Sequence, residues 1–178
     1  MTLSYTLKIS EKKLQSRISE MMPLEKNIYL VTVILSYPVI DLTGGNNLIG
    51  IFCHLDVLMP GGIKAFGMGK ITGTLSYNPD LGEIFLNNPE ISILKIQHVS
   101  ENLMPIIQKV LLIIANKLLS KHPVYKLTSN KLKHKLAMLT LKSITVANQK
   151  LLLEFSILKK IAWHNRMNKI VSGPTRVL

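Results

Sequence analysis

The residue types that perform enzymatic chemistry occur in this sequence, but their spacing matches none of the common catalytic or metal-binding arrangements. The ten acidic residues include no close pair of the kind used in general acid–base catalysis. The five histidines show neither H-E-x-x-H nor another short ligand spacing; they are His54, His98, His122, His134 and His164. We therefore expect no catalytic residues, no metal site and no cofactor, and we predict that the protein is not an enzyme.

The single cysteine, Cys53, precedes His54, a pairing that resembles a catalytic dyad. Adjacent residues of a strand point to opposite faces, so these two side chains cannot act on each other. Cys53 lies in an apolar run, which predicts a buried and unreactive thiol. Gly67-Met68-Gly69 contains part of a nucleotide-binding motif, but it lacks the required change from strand to helix.

The positive charge is concentrated in the second half of the chain. Residues 1–101 contain 8 Lys or Arg and 9 Asp or Glu, whereas residues 102–178 contain 14 and a single acid, Glu154. This asymmetry has two interpretations. The basic residues bind an anionic partner, which would be a membrane surface or a nucleic acid, or they form a solvated basic face. The candidate anion-binding residues are Lys131, Lys133, Lys135, Lys159 and Lys160. A nucleic acid is the weaker candidate, since few aromatic residues accompany these charges.

Most of the first hundred residues alternate in the manner of β-strands. Residues 4–9 predict a short strand, and Ser10 predicts the N-cap of a helix that ends near Met21. Four long strands follow, at residues 27–42, 48–59, 64–77 and 83–97, separated by glycine-, asparagine- and proline-rich turns. Strands of about twice the usual ~5–6 residues must twist and coil strongly.

The next segment, Ser100–Lys121, predicts one long apolar helix, with Ser100 as N-cap and Pro105 in its first turns. It needs other structure on several sides, and the coiled sheet can supply it. Glycines at positions 67, 69 and 73 share a strand face, which indicates either close packing or a groove for a ligand. The predicted ligand-binding residues are Gly67, Gly69, Gly73, Ile106, Ile107, Leu111, Ile114 and Leu118.

The remaining elements are shorter. A basic helix is predicted at 129–139, and a hairpin at 142–147 and 150–156 turns at Asn148-Gln149. Residues 159–178 contain no acid and predict a basic, mobile tail. The predicted fold is thus one α+β domain over residues 1–158, in which a strongly curved antiparallel sheet wraps around a single long apolar helix.

This order of elements resembles the YceB-like bacterial lipoproteins, a family named as a domain of unknown function and related to the tubular lipid-binding (TULIP) superfamily. The resemblance covers about residues 4–157 and includes Tyr5-Thr6, His122-Pro123-Val124-Tyr125 and Ile144-Thr145-Val146. It implies a curved sheet around a long helix, a cavity for an acyl chain, and a periplasmic, membrane-tethered location.

The sequence departs from that family in two places. Its only cysteine, Cys53, lies within a predicted strand, so there is no lipobox cysteine, and the tail beyond about residue 158 has no counterpart. The first residues also lack a basic region followed by an apolar core, so we expect either a cytosolic protein or a chain whose leader is missing.

Two functions stay open from the sequence. One is the binding of a lipid or fatty-acid-like ligand between the helix and the sheet, with an anionic membrane surface as partner. The other is a non-enzymatic interaction protein whose core is fully packed and whose basic half binds an anionic partner.

Overall fold

Two antiparallel sheets form most of the structure, a computed structural model that describes residues 4–137 and 139–157. The larger sheet has six strands in the order β2-β3-β4-β5-β6-β7, and the smaller has three in the order β1-β9-β8. The strands are β1 (Ser4–Ser10), β2 (Leu24–Ile28), β3 (Val31–Asp41), β4 (Leu48–Met59), β5 (Ile63–Asn78), β6 (Glu83–Ile96), β7 (Tyr125–Lys126), β8 (Leu139–Ala147) and β9 (Lys150–Ile157). The helices are α1 (Glu11–Met21), α2 (Met104–Ile114) and α3 (Asn130–Ala137).

The predicted succession of long antiparallel strands is confirmed, and β4 has the predicted bounds. Its side chains alternate between buried and exposed because one face of the sheet is covered and the other meets solvent. On β5, Ala65, Gly69, Ile71, Gly73 and Leu75 lie on the buried face, as the sequence predicts.

The prediction of the first long strand, at residues 27–42, is wrong in one respect, since a tight hairpin turn divides this segment. Ile28 pairs with Val31, and the two residues between them, Tyr29 and Leu30, both have positive φ, at 52° and 66°. This is the geometry of a type I′ turn, in which asparagine and glycine are the usual residues. Tyrosine and leucine are good strand formers, so the sequence contains no sign of the turn.

Helix α1 is fixed against an irregularity in β3. Ser10 accepts a hydrogen bond from the backbone N–H of Lys13, which confirms the predicted N-cap. The register of β3 shifts between Ser36 and Val39, around Pro38. There the Gln15 side chain donates to the Pro38 carbonyl oxygen at 2.5 Å and accepts from the backbone N–H of Ile40 at 2.9 Å. The α1 side chain thus replaces ladder hydrogen bonds that the bulge removes.

The predicted helix over Ser100–Lys121 is shorter and irregular. Helix α2 begins at Met104, and a π-helical turn, Ala115–Leu119, follows it. Proline explains the later start: in a helix capped by Ser100, Pro105 would lie in the interior, without an N–H and against the Glu101 carbonyl. Starting at Met104 places Pro105 in the first turn, where its missing N–H costs nothing. The structure therefore contains a few short helices rather than a single long apolar one.

Helix α2 and the π-helical turn contact strands near both edges of the larger sheet. Their main contacts are with β2 and β3 on one side and with β6 on the other, although β4 and β5 separate these strands in the sheet. An open, curved sheet is compatible with this arrangement, because curvature brings distant strands toward one helix. The buried side chains of both sheets and of all three helices belong to one continuous cluster.

The smaller sheet combines both ends of the chain. The predicted strand at residues 4–9 pairs along its length with β9, and the predicted hairpin turn at Asn148-Gln149 is confirmed. The backbone N–H of Val146 donates to the Asn46 carbonyl and so joins this sheet to the end of the larger one. The predicted tail, residues 159–178, lies outside the described residues.

Candidate ligand-binding cleft and basic residues

The helix residues that were predicted to bind a ligand lie in the interior of the protein or at its border. Ile107, Leu111 and Ile114 are at most 1% exposed, whereas Ile106 and Leu118 are partly buried against the core. Val110 and Leu119 are equally buried and were absent from the predicted set. All seven are buried in the core or packed against it.

The three glycines of β5 lie close to neighbouring strands rather than beside open space. A Cβ at Gly67 would collide with the Lys95 carbonyl oxygen and lie 2.9 Å from the Ile96 Cα. A Cβ at Gly73 would lie 2.7 Å from Leu86 Cδ1 and 2.8 Å from the Asn87 carbonyl oxygen. Close packing on β6 is thus a sufficient reason for glycine at both positions, and their role in ligand binding stays a prediction.

Gly69 differs from the other two. An added Cβ there would lie 3.3 Å from Leu55 Cδ1, the end of a flexible side chain, and 3.7 Å from the Ile93 carbonyl oxygen. The sequence prediction places a ligand between the helix and the sheet, with these glycines among its contacts. The main contacts of α2 are instead with β2, β3 and β6, so side chains of the core, and not a bare strand face, separate α2 from β5.

A cleft of about 700 Å³ lies where the end of β6 meets β5 and the start of α2. One predicted residue, Gly67, lines it. The others combine apolar and polar side chains: His54, Phe66, Met68, Leu94, Lys95, Ile96, Gln97 and Met104. Its size and mostly apolar walls are typical of small-molecule sites, which have roughly 300–1,000 Å³ and a few polar groups.

The sequence does not reveal this cleft, because its lining comes from four separate elements, β4, β5, β6 and α2. Phe66 and Met68 are exposed on the outer face of β5, whereas Met104 is partly buried at the start of α2. The backbone N–H of Gln97 donates to the Phe66 carbonyl and ends the β5–β6 pairing at this point. Exposed residues of β5 and the partly buried Met104 meet in one cleft only because of the path that the polypeptide takes after β6.

Three of the predicted anion-binding residues lie on α3. Lys131 and Lys135 are exposed on α3, and the Lys135 Nζ lies 4.3 Å from the centroid of the Tyr5 ring. A cation over an aromatic ring is stabilised by the electrons of the ring face. The Lys133 side chain, and Lys159 and Lys160 entirely, lie outside the described part of the chain.

The best-defined ion pair lies in the larger sheet. Lys70 Nζ is 2.6 Å from an Asp41 oxygen, both side chains are at most 20% exposed, and the same ammonium lies 4.8 Å from the Phe52 ring. The hydrogen bond from Lys70 holds the pKa of Asp41 below its ordinary value of 3.8, and a further one from the Thr43 hydroxyl acts in the same direction. We interpret this pair as structural, since it joins β3 to β5 across β4.

The remaining reactive residues are separated, as the sequence predicts. Cys53 is buried, which raises its pKa to about 12, so the thiol is not a nucleophile at neutral pH. His54 is exposed on the opposite face and packs edge-on against Tyr37, with ring centroids 5.6 Å apart. Among the described residues, no three His, Cys, Asp or Glu side chains lie together as metal ligands would.

Within residues 4–137 and 139–157, no helix combines the length and apolar character needed to cross a membrane. A search of curated proteins returns no match to this sequence. The profile of one protein family, described as a protein of unknown function (DUF1439), matches residues 9–150. The match includes all three helices and every strand except β1 and β9, of which it covers only the last two residues and the first residue, respectively. The chain therefore belongs to the DUF1439 family.

Proposed function

We propose that the protein binds a lipid or another long apolar ligand, without catalysing a reaction. The observation that carries this proposal is the cleft between the end of β6, the start of α2 and Gly67. Burying an acyl chain contributes about 0.8 kcal/mol per CH₂ group, so even partial burial gives useful affinity. The exposed apolar walls of the cleft, Phe66 and Met68, meet this requirement.

The polar residues of the cleft favour a ligand with an anionic end. Lys95, Gln97 and His54 supply hydrogen-bond donors beside the apolar side chains, and none of the described lining residues is acidic. A carboxylate or phosphate headgroup would meet Lys95 and Gln97, and the hydrocarbon would lie along Phe66, Met68 and Met104. A fatty acid or a phospholipid has this combination.

The resemblance to tubular lipid-binding proteins supports the same function. In such proteins a curved sheet around a helix holds an acyl chain, and here α2 contacts both β3 and β6. On this proposal an acyl chain enters at the cleft and continues toward Ile106, Ile107, Leu111, Ile114 and Leu118, with movement of the packed side chains. A location at the bacterial envelope, next to a membrane, would fit that role.

Substitution of Phe66 tests the cleft. Phe66→Asp places a charge on the apolar wall. Because Phe66 is 61% exposed the fold should tolerate it, with a small loss of stability from the like charge of Asp56, which pairs with position 66. We expect binding of a fluorescent fatty acid to weaken about tenfold or more, since roughly 1.5–3 kcal/mol of apolar contact is lost. Val39→Asp is the matched control, because Val39 is 57% exposed on the same sheet but does not line the cleft.

A second function, that of an interaction protein with a fully packed core, is favoured by one observation. The buried residues form a single continuous cluster, and the places left by Gly67 and Gly73 are occupied by β6. On this alternative the basic residues bind an anionic partner and the cleft holds no lipid. Absence of probe binding by the wild type would favour it, whereas equal binding by the wild type, Phe66→Asp and Val39→Asp would show that the probe binds outside the cleft.

A further inference from the structure

Two hairpin turns at one end of the larger sheet expose apolar side chains that the core does not use. Tyr29 and Leu30, between β2 and β3, are each 74% exposed, and Ile63, which follows the β4–β5 turn, is 57% exposed. The register places the turns side by side, since Thr32 pairs with Leu58 and Met59 pairs with Ile63. We call this the turn end of the sheet.

The conformation of the first turn indicates that its residues serve something outside the fold. Positive φ is unfavourable for Tyr29 and Leu30, whereas asparagine and glycine adopt it readily in this turn type. Neither side chain gains compensating burial. The second turn projects equally, because a Cβ at Gly61 or Gly62 would meet no atom within 4 Å.

Three lysines lie at or near the turn end. Lys109 Nζ lies 5.7 Å from the centroid of the Tyr29 ring, Lys64 follows Ile63, and the register places Lys26 on the face toward α2. The nearest carboxylates on the strands, Asp56 and Glu25, are level with Phe66 and Ile34. That is two residues, or about 7 Å, further from the turns than Lys64.

We propose that the turn end docks on an anionic lipid bilayer, with Tyr29, Leu30 and Ile63 in the interface and the three lysines at the headgroups. Tyrosine is suited to the boundary between headgroups and acyl chains, and lysines there are attracted to anionic lipids. Three projecting side chains are far fewer than the roughly 20–30 residues that each partner contributes to a standard protein interface. A bilayer needs no complementary pocket for them.

The proposed cleft opens near the same end, since Gly67 is four residues beyond Ile63 and Met104 begins α2 there. Docking at the turn end would therefore bring the cleft close to the bilayer that supplies or receives the ligand. The docking itself does not depend on lipid in the cleft, so either proposal can fail alone.

Replacing the first turn by its ideal residues separates folding from docking. Tyr29→Asn with Leu30→Gly should leave the melting temperature unchanged or higher, because both residues favour this turn. Sedimentation with vesicles of phosphatidylglycerol and phosphatidylcholine should show binding weakened about tenfold or more, since two apolar side chains no longer insert. Leu81→Ser is the control, because Leu81 is 51% exposed in the β5–β6 turn at the other end of the sheet.

A second variant reports insertion directly. Ile63→Trp, made together with Trp163→Phe, should show a blue shift of tryptophan fluorescence with phosphatidylglycerol vesicles and little shift with phosphatidylcholine alone. Wild-type binding by the Asn-Gly variant, or no blue shift at position 63, would overturn the proposal. So would a wild-type dimer that the Asn-Gly variant converts to monomer, because the turns would then contact a second copy of the chain.

Discussion

At the scale of single residues, the side chains with the clearest physical role are Asp41 and Lys70. Their ion pair, at 2.6 Å, joins β3 to β5, and the Lys70 Cε lies 2.5 Å from where a Cβ of Gly50 would be. Glycine at position 50 thus lets the Lys70 side chain cross β4, the strand that separates Lys70 from Asp41. Neither the pair nor the reason for Gly50 follows from local sequence, because positions 41 and 70 are distant in the chain.

The Asp41–Lys70 pair predicts a specific dependence of stability on pH. The pKa of Asp41 is lowered in the folded state, so the pair stabilises the fold above pH 3.8 and loses this effect as the pH falls below that value. Asp41→Asn should reduce the free energy of unfolding by about 1–2 kcal/mol at pH 7 and by less near pH 2. Urea unfolding at several pH values measures this.

The exposed Asp80→Asn is the control for that series, since Asp80 lies in the β5–β6 turn. A difference between Asp41→Asn and wild type that is the same at pH 7 and pH 2 would show that the charge of Asp41 is not what matters.

The glycines of β5 give a second residue-scale prediction, in which packing is tested without a ligand. Gly73→Ala should destabilise by about 1–3 kcal/mol, because its Cβ would meet the Asn87 carbonyl oxygen at 2.8 Å and backbone must move. Gly69→Ala should cost less, since the end of the Leu55 side chain can shift. Thermal unfolding of both variants measures the difference, and equal melting temperatures would show that β6 does not require glycine at position 73.

At the scale of elements, the sequence predicts best where a pattern is local. The bounds of β4 follow from its alternation and from Pro60-Gly61-Gly62, which can only turn. The turn at Tyr29-Leu30 has no such signature. The start of α2 differs from the prediction because Pro105 must lie in the first turn, whatever the capping potential of Ser100. The pairing of β1 with β9 joins the two ends of the chain, which periodicity cannot indicate.

Gln15 makes two side-chain hydrogen bonds that join α1 to β3. Gln15→Ala would leave the Pro38 carbonyl and the Ile40 N–H without their partners, so we expect a loss of about 1–3 kcal/mol in the free energy of unfolding. Hydrogen exchange should show faster exchange at the Ile40 amide in particular. Lys12→Ala, on the exposed side of α1, is the control, and unchanged exchange at Ile40 would contradict the role of Gln15.

At the scale of the whole molecule, the α+β character and the long antiparallel strands could be predicted. Alternation along a strand indicates which face is buried, and turn residues indicate where each strand ends. The cleft could not, since its lining unites both faces of β5 with the end of β6 and the start of α2. Of the predicted ligand-binding residues only Gly67 lines it, and the predicted helix residues lie deeper, in the packed core.

The residues that line the cleft and the predicted helix residues can bind the same ligand only if the core opens to admit an acyl chain. Helix α2 would then move slightly away from β3 or β6 as the acyl chain enters from the cleft. A core that cannot open would restrict any ligand to the surface cleft and would give it correspondingly low affinity.

The most direct test of the proposed function is mass spectrometry of an organic extract from the purified wild-type protein. We predict a fatty acid or phospholipid in a near-constant molar ratio to protein, because a buried acyl chain of about ten or more CH₂ groups dissociates slowly. The extract of Phe66→Asp should contain less, and that of Val39→Asp as much as the wild type. Finding no lipid, together with no binding of a fluorescent fatty acid, would contradict lipid binding and leave the interaction protein with a packed core.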